Sequence, residues 1–203
     1  MYIIIRLIIG CIFVAGSMIA IKKSKVLHKR ILYIIFTGLS VMLVITLSFL
    51  PFENLFVTFD SPKAAYEYFC LGKSNIELIL EGDDCDFIVD RKNDYDTYLI
   101  VPKFEDGWKI GIGSDTRRII QKLYDGIVVY VYQYKNTNEY FITIVDANGG
   151  EVAVSDEYST KFYSLVRDNS SLGKTFVTYY AHITNLDSSY NITVNEHKIA
   201  LKE

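Results

Sequence analysis

Two apolar segments at the start of the chain decide its fold. Residues 2–21 read YIIIRLIIGCIFVAGSMIAI, and residues 31–50 read ILYIIFTGLSVMLVITLSFL. An α-helix rises about 1.5 Å per residue, so about 20 residues cover the hydrocarbon core of a bilayer, which is about 30 Å thick. The two segments therefore predict a transmembrane helical hairpin within residues 1–51, and the lipid bilayer is the first expected partner.

The segment between the two spans, residues 22–30, predicts the orientation of the hairpin. It contains five Lys and Arg residues, whereas the N-terminal side of the first span offers Arg6 and the α-amine. Basic loops stay on the cytoplasmic side of a membrane. We therefore expect a multi-pass plasma-membrane protein with loop 22–30 in the cytoplasm and both termini outside. Residues 52–203 then form an extracytoplasmic domain.

Two features inside the first span bear on its role. Arg6 could be an intramembrane charge with a partner, but it lies one turn from the outer end. We therefore expect its side chain to extend to the lipid headgroups. Gly16 and Ala20 form a small-xxx-small pair that could let the two helices pack closely.

The charge of the outer domain restricts its partners. All 24 acidic residues follow residue 52, together with 15 of the 21 basic residues, which gives residues 52–203 a formal charge of −9. A domain this acidic is not expected to bind nucleic acid. The charge is compatible with a cationic peptide, a metal ion or simple solubility. The domain is also long enough to bury a core of its own.

The outer domain is predicted to be α+β, with one N-terminal helix followed by mostly antiparallel strands. Ser61 and Pro62 are suited to begin the helix, and Gly72 is placed to end it. A second short helix is expected over Ser114–Leu123. Near residue 125 the pattern becomes purely β, where the domain could divide. The expected strands are Ile76–Glu81, Cys85–Asp90, Tyr95–Lys103, Trp108–Ile112, Ile127–Tyr134, Tyr140–Asp146, Glu151–Ser155, Phe176–Thr184, Tyr190–Val194 and Lys198–Lys202.

The turn at Asn148-Gly149-Gly150 is typical of a β-hairpin. It predicts that Glu151–Ser155 pairs back on the strand before it. The segment Asp156–Arg167 is compatible with either a helix or a strand.

The segment FDSPKAAYEY, residues 59–68, carries a resemblance. It is similar to a segment of small two-span membrane proteins of Gram-positive bacteria, which are uncharacterised. In these proteins a helix of this kind opens an extracytoplasmic domain, and strands with a Gly-Trp-Lys turn follow, like residues 107–109 here. The resemblance implies an extracytoplasmic α+β domain, and it implies no activity and no functional residues.

The acidic cluster after residue 82 is the best candidate for a metal site. Calcium needs several carboxylate or carbonyl oxygens that converge in one loop. Asp83, Asp84 and Asp86 are the weak candidates for ligands. Their spacing differs from the EF-hand pattern, and the alternative is a solvated rim of a hairpin.

Two further groups of residues, a pair of cysteines and a row of tyrosines, each have two interpretations. Cys70 and Cys85 could form a disulfide in an oxidising compartment, or they could be two free, buried thiols. Tyr130, Tyr132 and Tyr134 share one face of a predicted strand. That face could bind a peptide or a glycan, or it could form half of a core between two sheets.

The sequence offers no catalytic signature. It lacks a G-x-S-x-G motif, and neither outer cysteine stands in a nucleophile motif. Of the three histidines, His28 lies in the inner loop, and His182 and His197 lie in the outer domain. We therefore predict no catalytic residues and no cofactor.

The expected function is a membrane-anchored, non-catalytic binding or interaction module outside the cell. It would contact another envelope protein or a surface ligand, and an immunity-type protein is compatible with its small size and negative charge. One alternative is an accessory subunit that acts through its two helices on a larger membrane complex. The other is an envelope hydrolase with a site near His182 or His197.

Overall fold

A computed structural model describes residues 2–23, 29–70, 73–92, 95–111, 115–169 and 174–202. The chain begins with two long helices, α1 over Tyr2–Lys23 and α2 over Lys29–Phe49. Both helices are long and apolar enough to cross a membrane, and few of their side chains are buried inside the protein. The middle of the basic loop, residues 24–28, lies outside the described residues.

The two helices lie close together at Gly10. A Cβ atom at this position would lie 2.3 Å from Cγ2 of Val44 on α2. A Cβ atom at Gly16 would meet no atom within 4 Å. The close packing that the Gly16 and Ala20 pair would allow is not present at Gly16, where this face of α1 lines an open groove.

A short 3-10 helix, Phe52–Leu55, leads from α2 to helix α3, Pro62–Phe69. As predicted, the Ser61 hydroxyl caps α3 by accepting a hydrogen bond from the amide of Ala64 (3.2 Å), and Pro62 occupies the first turn. The helix ends at Phe69, since Cys70 has extended backbone angles. The predicted end at Gly72 lies outside the described residues.

The first sheet is antiparallel and has the order β1-β2-β3-β4. Its strands are β1 (Ile76–Glu81), β2 (Cys85–Lys92), β3 (Tyr95–Phe104) and β4 (Gly107–Trp108). The first three strands match the prediction. The fourth is shorter than the predicted Trp108–Ile112, whose last residue lies outside the described part of the chain.

The second sheet has five antiparallel strands in the order β5-β6-β7-β10-β9. They are β5 (Thr116–Tyr124), β6 (Ile127–Tyr134), β7 (Glu139–Asp146), β10 (Lys174–Thr184) and β9 (Tyr163–Asn169). The predicted helix over Ser114–Leu123 is wrong. Asp125 and Gly126 both have positive φ, the geometry of a tight hairpin turn, and this turn pairs β5 with β6 along their length.

The third sheet has the order β12-β11-β8. Its strands are β8 (Val154–Asp156), β11 (Asn191–Val194) and β12 (His197–Ala200). The predicted hairpin between Glu151–Ser155 and β7 is wrong. The edge of β7 is occupied by β10, so the chain after Gly150 leaves the second sheet and pairs with β11 instead.

The elements that follow the hairpin stack in four layers, with the second sheet in contact with the first and the third. One face of the second sheet contributes Ile127, Val129 and Val131 to a core with the third sheet. Its other face packs against the first sheet, whose far side is covered by α3. The parts of the domain before and after residue 125 share the core between the first two sheets.

Candidate functional site

A polar cleft of about 460 Å³ opens where β9 and β10 diverge. The last residue pair between these strands joins Tyr163 to Tyr180, and β10 continues beyond it to Thr184. The volume lies within the range of about 300–1,000 Å³ that is typical of small-molecule sites. The lining residues include Tyr158, Thr160, Lys161, His182, Thr184, Asn185, Asp187 and Tyr190.

His182, one of the residues that line the cleft, contacts a buried carboxylate. Its Nε2 lies 3.0 Å from Oε2 of Glu139, a residue only 3% exposed at the start of β7. The His182 ring also packs on Phe141, with 5.0 Å between ring centroids. These two contacts fix the orientation of the imidazole ring.

Glu139 is a junction between the first and second sheets. Its carboxylate accepts hydrogen bonds from the amide of Asp83 (3.2 Å) and from the thiol of Cys85 (3.9 Å). Gly82 leaves room for it, since a Cβ atom there would lie 2.0 Å from Oε2 of Glu139. The hairpin between β1 and β2 therefore holds the acid that orients His182.

Among the described residues, no side chain in contact with His182 or Glu139 is an activated nucleophile. The hydrogen bond of His182 is to Glu139, and the nearby thiol of Cys85 is fully buried. Burial and the neighbouring Glu139 carboxylate raise the pKa of Cys85, so its thiol stays protonated. The arrangement holds the imidazole against Glu139 and Phe141 and supplies no attacking group.

One wall of the cleft is a pair of stacked tyrosines. The rings of Tyr158 and Tyr190 are 5.3 Å apart and within 5° of parallel. Tyr190 is 4% exposed, whereas Tyr158 is 57% exposed. The Tyr190 hydroxyl donates a hydrogen bond to Asp156, which anchors the inner ring of the pair.

The rest of the lining carries groups that can accept or donate hydrogen bonds. Asp187 accepts hydrogen bonds from the hydroxyl and the amide of Ser189, and these bonds hold the pKa of Asp187 below its ordinary value. The ammonium group of Lys161 lies 4.5 Å from the centre of the Tyr163 ring. The cleft therefore combines one carboxylate and one ammonium group with hydroxyl, amide and imidazole groups.

The three tyrosines predicted as a binding face lie elsewhere, between the first and second sheets. Tyr132 and Tyr134 are 9% and 7% exposed and pack in the core cluster that contains Phe87. Tyr130 is half-buried under the guanidinium of Arg118. This face is half of a core between two sheets, and Tyr132 and Tyr134 are not accessible to a ligand.

The three candidate metal ligands do not converge. Asp86 is buried and accepts hydrogen bonds from the indole of Trp108 and the amide of Gly82, while Asp83 and Asp84 are exposed. Burial raises the pKa of Asp86. Within the described ranges, no three His, Cys, Asp or Glu residues are grouped in a way that could hold a metal ion.

The disulfide that the sequence allowed between Cys70 and Cys85 is not formed. Both are free thiols, and they belong to core clusters on opposite faces of the first sheet. The sheet between them keeps the two sulfur atoms apart. Of the other two histidines, His197 is exposed and contacts the ring of Tyr124, and His28 lies outside the described residues.

Arg6 does not extend to the lipid headgroups as predicted, because it is fully buried where the hairpin meets the 3-10 helix. Its guanidinium donates to both carboxylate oxygens of Glu53, at 2.5 and 2.7 Å, and to the carbonyl oxygens of Leu47 and Leu50. The hydroxyl of Tyr68 on α3 also donates to Glu53 (3.3 Å). The pair thus connects α1, the end of α2, the 3-10 helix and α3.

Sequence reasoning missed both the Glu139–His182 pair and the Arg6–Glu53 pair. The first joins two strands whose pairing the sequence does not show. The second had a usable signal: Arg6 is the single charge within the first span, and Glu53 is the first acidic residue of the chain. Both flank the same end of the hairpin, where a buried charge needs a partner.

Comparisons of the chain with models of known protein families, with curated proteins and with solved structures found no match.

Proposed function

We propose that this protein is a two-span membrane protein whose extracytoplasmic domain is a non-catalytic binding module, with the cleft beside His182 as its ligand site. The observation that carries the proposal is the cleft itself, which combines an exposed aromatic ring with hydroxyl, amide, carboxylate and ammonium groups along its lining. The ligand is a component of the cell envelope or a molecule that reaches the cell surface. A cationic bacteriocin, bound by an immunity-type protein, is one molecule of the second kind.

The proposed orientation puts both termini and the outer domain outside the plasma membrane. It is supported by Lys22 and Lys23 at the end of α1, by Arg30 at the start of α2, and by the acidic outer domain. Basic residues are retained on the cytoplasmic side. A cysteine introduced at exposed Glu196 would then react with a membrane-impermeant maleimide in intact cells, and one at Lys23 would react only after lysis.

The junction between the hairpin and the outer domain favours a module held in one orientation. Besides the Arg6–Glu53 pair, Asn54 of the 3-10 helix exchanges two hydrogen bonds with the backbone of Ile110, at 3.0 and 2.8 Å. These contacts join the end of the hairpin directly to the folded domain, with no flexible linker between them. In the proposed orientation, they would hold the cleft at a fixed distance from the bilayer.

The test of the binding module is photo-crosslinking in intact cells. A photoreactive residue replaces Thr184, which is exposed at the cleft, and a matched one replaces Glu196, which is exposed in the turn between β11 and β12. We expect a specific adduct from position 184 and none from position 196. The adduct should persist when an unrelated membrane anchor replaces residues 2–49. Equal labelling at the two positions would contradict the proposal.

A second candidate function, an accessory subunit, is favoured by the hairpin surface. Two open apolar grooves of about 470 and 500 Å³ run between α1 and α2, and one is lined by Gly16 and Ala20. A third helix from a larger membrane protein could pack there. The test is crosslinking in intact cells. If a partner is captured only when residues 2–49 are native, and is no longer captured by Gly16→Leu, the accessory-subunit function is favoured over the binding module.

A further inference from the structure

The exposed ring of Tyr158 forms a flat platform at the mouth of the cleft. One face of the ring is covered by Tyr190, which is itself buried and nearly parallel to it. More than half of the Tyr158 surface stays exposed, at 57%. An aromatic ring backed by a second ring offers its remaining face for stacking without having to move.

The platform is ordered before any ligand arrives. One oxygen of Asp156 accepts hydrogen bonds from the amides of Tyr158 (3.0 Å) and Thr160 (2.9 Å), and the other accepts from the Tyr190 hydroxyl. Burial alone would raise the pKa of Asp156, but the hydrogen bonds from Thr160 and Tyr190 hold it below its ordinary value. A preorganised site loses little conformational entropy on binding.

Beside this platform, the cleft is lined by hydrogen-bonding groups and has no concentration of charge of one sign. Thr184, Asn185 and Asp187 line it as exposed residues, and His182 has its Nε2 occupied by Glu139. Lys161 and Asp187 contribute opposite charges. Because these two charges offset each other, the lining gives no net attraction to a strongly anionic or strongly cationic ligand.

From this arrangement we propose that the cleft binds a neutral saccharide unit. A pyranose ring with equatorial substituents has flat faces of C–H groups and a rim of hydroxyl groups. The C–H face fits on Tyr158, and the hydroxyl groups fit the polar residues of the cleft. This inference rests on the binding module proposed above and names the chemical class of its ligand. The competing occupant is a peptide strand lying along Ala181–Thr184, where β10 has lost its pairing with β9.

The test uses the full chain in detergent with chitotriose and cellotriose as probes at millimolar concentration. Saturation-transfer NMR measures contact with each saccharide. We expect transfer to the C–H protons of one or both saccharides and an affinity loss of about tenfold or more in Tyr158→Ala. Tyr124→Ala is the matched control, because Tyr124 is also exposed (44%) and packs on His197 away from the cleft. It should bind like the native chain.

The outcomes separate this inference from the proposed function. No transfer from either saccharide, or equal binding by Tyr158→Ala and Tyr124→Ala, overturns the saccharide proposal. If the photoreactive residue at position 184 then still captures a protein, the binding module stands and its ligand is a peptide. If position 184 also captures nothing, both proposals fail.

Discussion

The guanidinium of Arg6 and the carboxylate of Glu53 form a two-pronged ion pair whose side chains are only 1% and 7% exposed. Arg6 belongs to the first long helix, and Glu53 belongs to the 3-10 helix that opens the outer domain. The ring of Phe52 lies 4.9 Å from the guanidinium and shields the pair further. This buried ion pair therefore joins the hairpin directly to the segment that follows it.

Removal of one partner should be costly. Glu53→Ala leaves the Arg6 charge buried without its carboxylate, and breaking a buried pair in this way typically costs about 3–5 kcal/mol. We expect a loss of this size in the free energy of unfolding, measured by chemical denaturation of the full chain in detergent. The matched control is Glu67→Ala, which breaks the exposed pair with Lys63 (3.8 Å) and should cost at most about 0.5 kcal/mol.

The double variant Arg6→Met/Glu53→Met distinguishes the cost of an unpaired charge from the value of the pair. An apolar replacement of both partners is often neutral or stabilising. We expect it to recover most of the stability that Glu53→Ala loses. Equal losses in the single and double variants would show that the side-chain shapes matter and the charges do not.

Acid should weaken the same junction. Burial alone would raise the pKa of Glu53, but hydrogen bonds from Arg6 and the Arg6 charge hold it below its ordinary value of 4.5. A carboxyl group with a lowered pKa stabilises the folded state above its unfolded pKa, and this contribution is lost as the pH falls through the folded pKa. The stability advantage of the native chain over Glu53→Gln should therefore be full at pH 7 and shrink below about 4.5.

The comparison with Glu53→Gln is needed because other carboxyl groups respond to acid as well. Burial raises the pKa of Asp86, so protonation of that group favours the folded state as the pH falls. This contribution is common to both proteins and cancels in the difference. An advantage that stays constant between pH 7 and pH 3 would contradict the assignment to Glu53.

Local signals in the sequence predicted the elements that depend on local chemistry. Ser61 and Pro62 specify the start of α3, and the alternation along Ile127–Tyr134 specifies β6 and its two faces. The prediction of a helix over Ser114–Leu123 is wrong because pairing with β6 stabilises β5 and overrides the helical preference of a segment such as Arg117–Leu123. Long-range strand order likewise decides where β8 pairs and where the cleft opens.

The same limit applies to the candidate sites. The sequence predicts the strand that carries Tyr132 and Tyr134, but their exposure depends on a sheet formed by residues about 40 positions earlier in the chain. Tyr158 and Tyr190 meet through a turn and a strand that are distant in sequence. A pattern of Asp156 followed by Tyr158 and Thr160 does indicate a turn held by the aspartate, and it is the one local signal for the platform.

The two glycines of α1 should respond differently to a large side chain. Gly10→Leu would drive a side chain into Val44, since even a Cβ atom there would lie 2.3 Å from Cγ2. Gly16→Leu would place its side chain in an open groove. We expect Gly10→Leu to lower the melting temperature of the chain in detergent and Gly16→Leu to leave it unchanged. A larger drop in Gly16→Leu would show that the helices pack on the other face of α1.

The contact between Gly82 and Glu139 should control the orientation of His182. In Gly82→Ala the new Cβ atom would lie 2.0 Å from Oε2 of Glu139 and 2.5 Å from the carbonyl oxygen of Cys85, so the Glu139 carboxylate must move. Overpacking of this kind typically costs about 1–3 kcal/mol. We expect a stability loss of that size and a change in the imidazole ¹⁵N chemical shifts of His182, because its Nε2 loses its partner.

Glu139→Gln should produce the same change in the His182 shifts with less strain, since the amide occupies nearly the same volume as the carboxylate. His197 provides the internal control in both variants, because its ring packs on Tyr124 at a distance from Glu139. If the His182 shifts were the same in the native chain and both variants, the carboxylate would not orient the ring. The cleft would then owe its shape to the stacked tyrosines and the backbone of β10 alone.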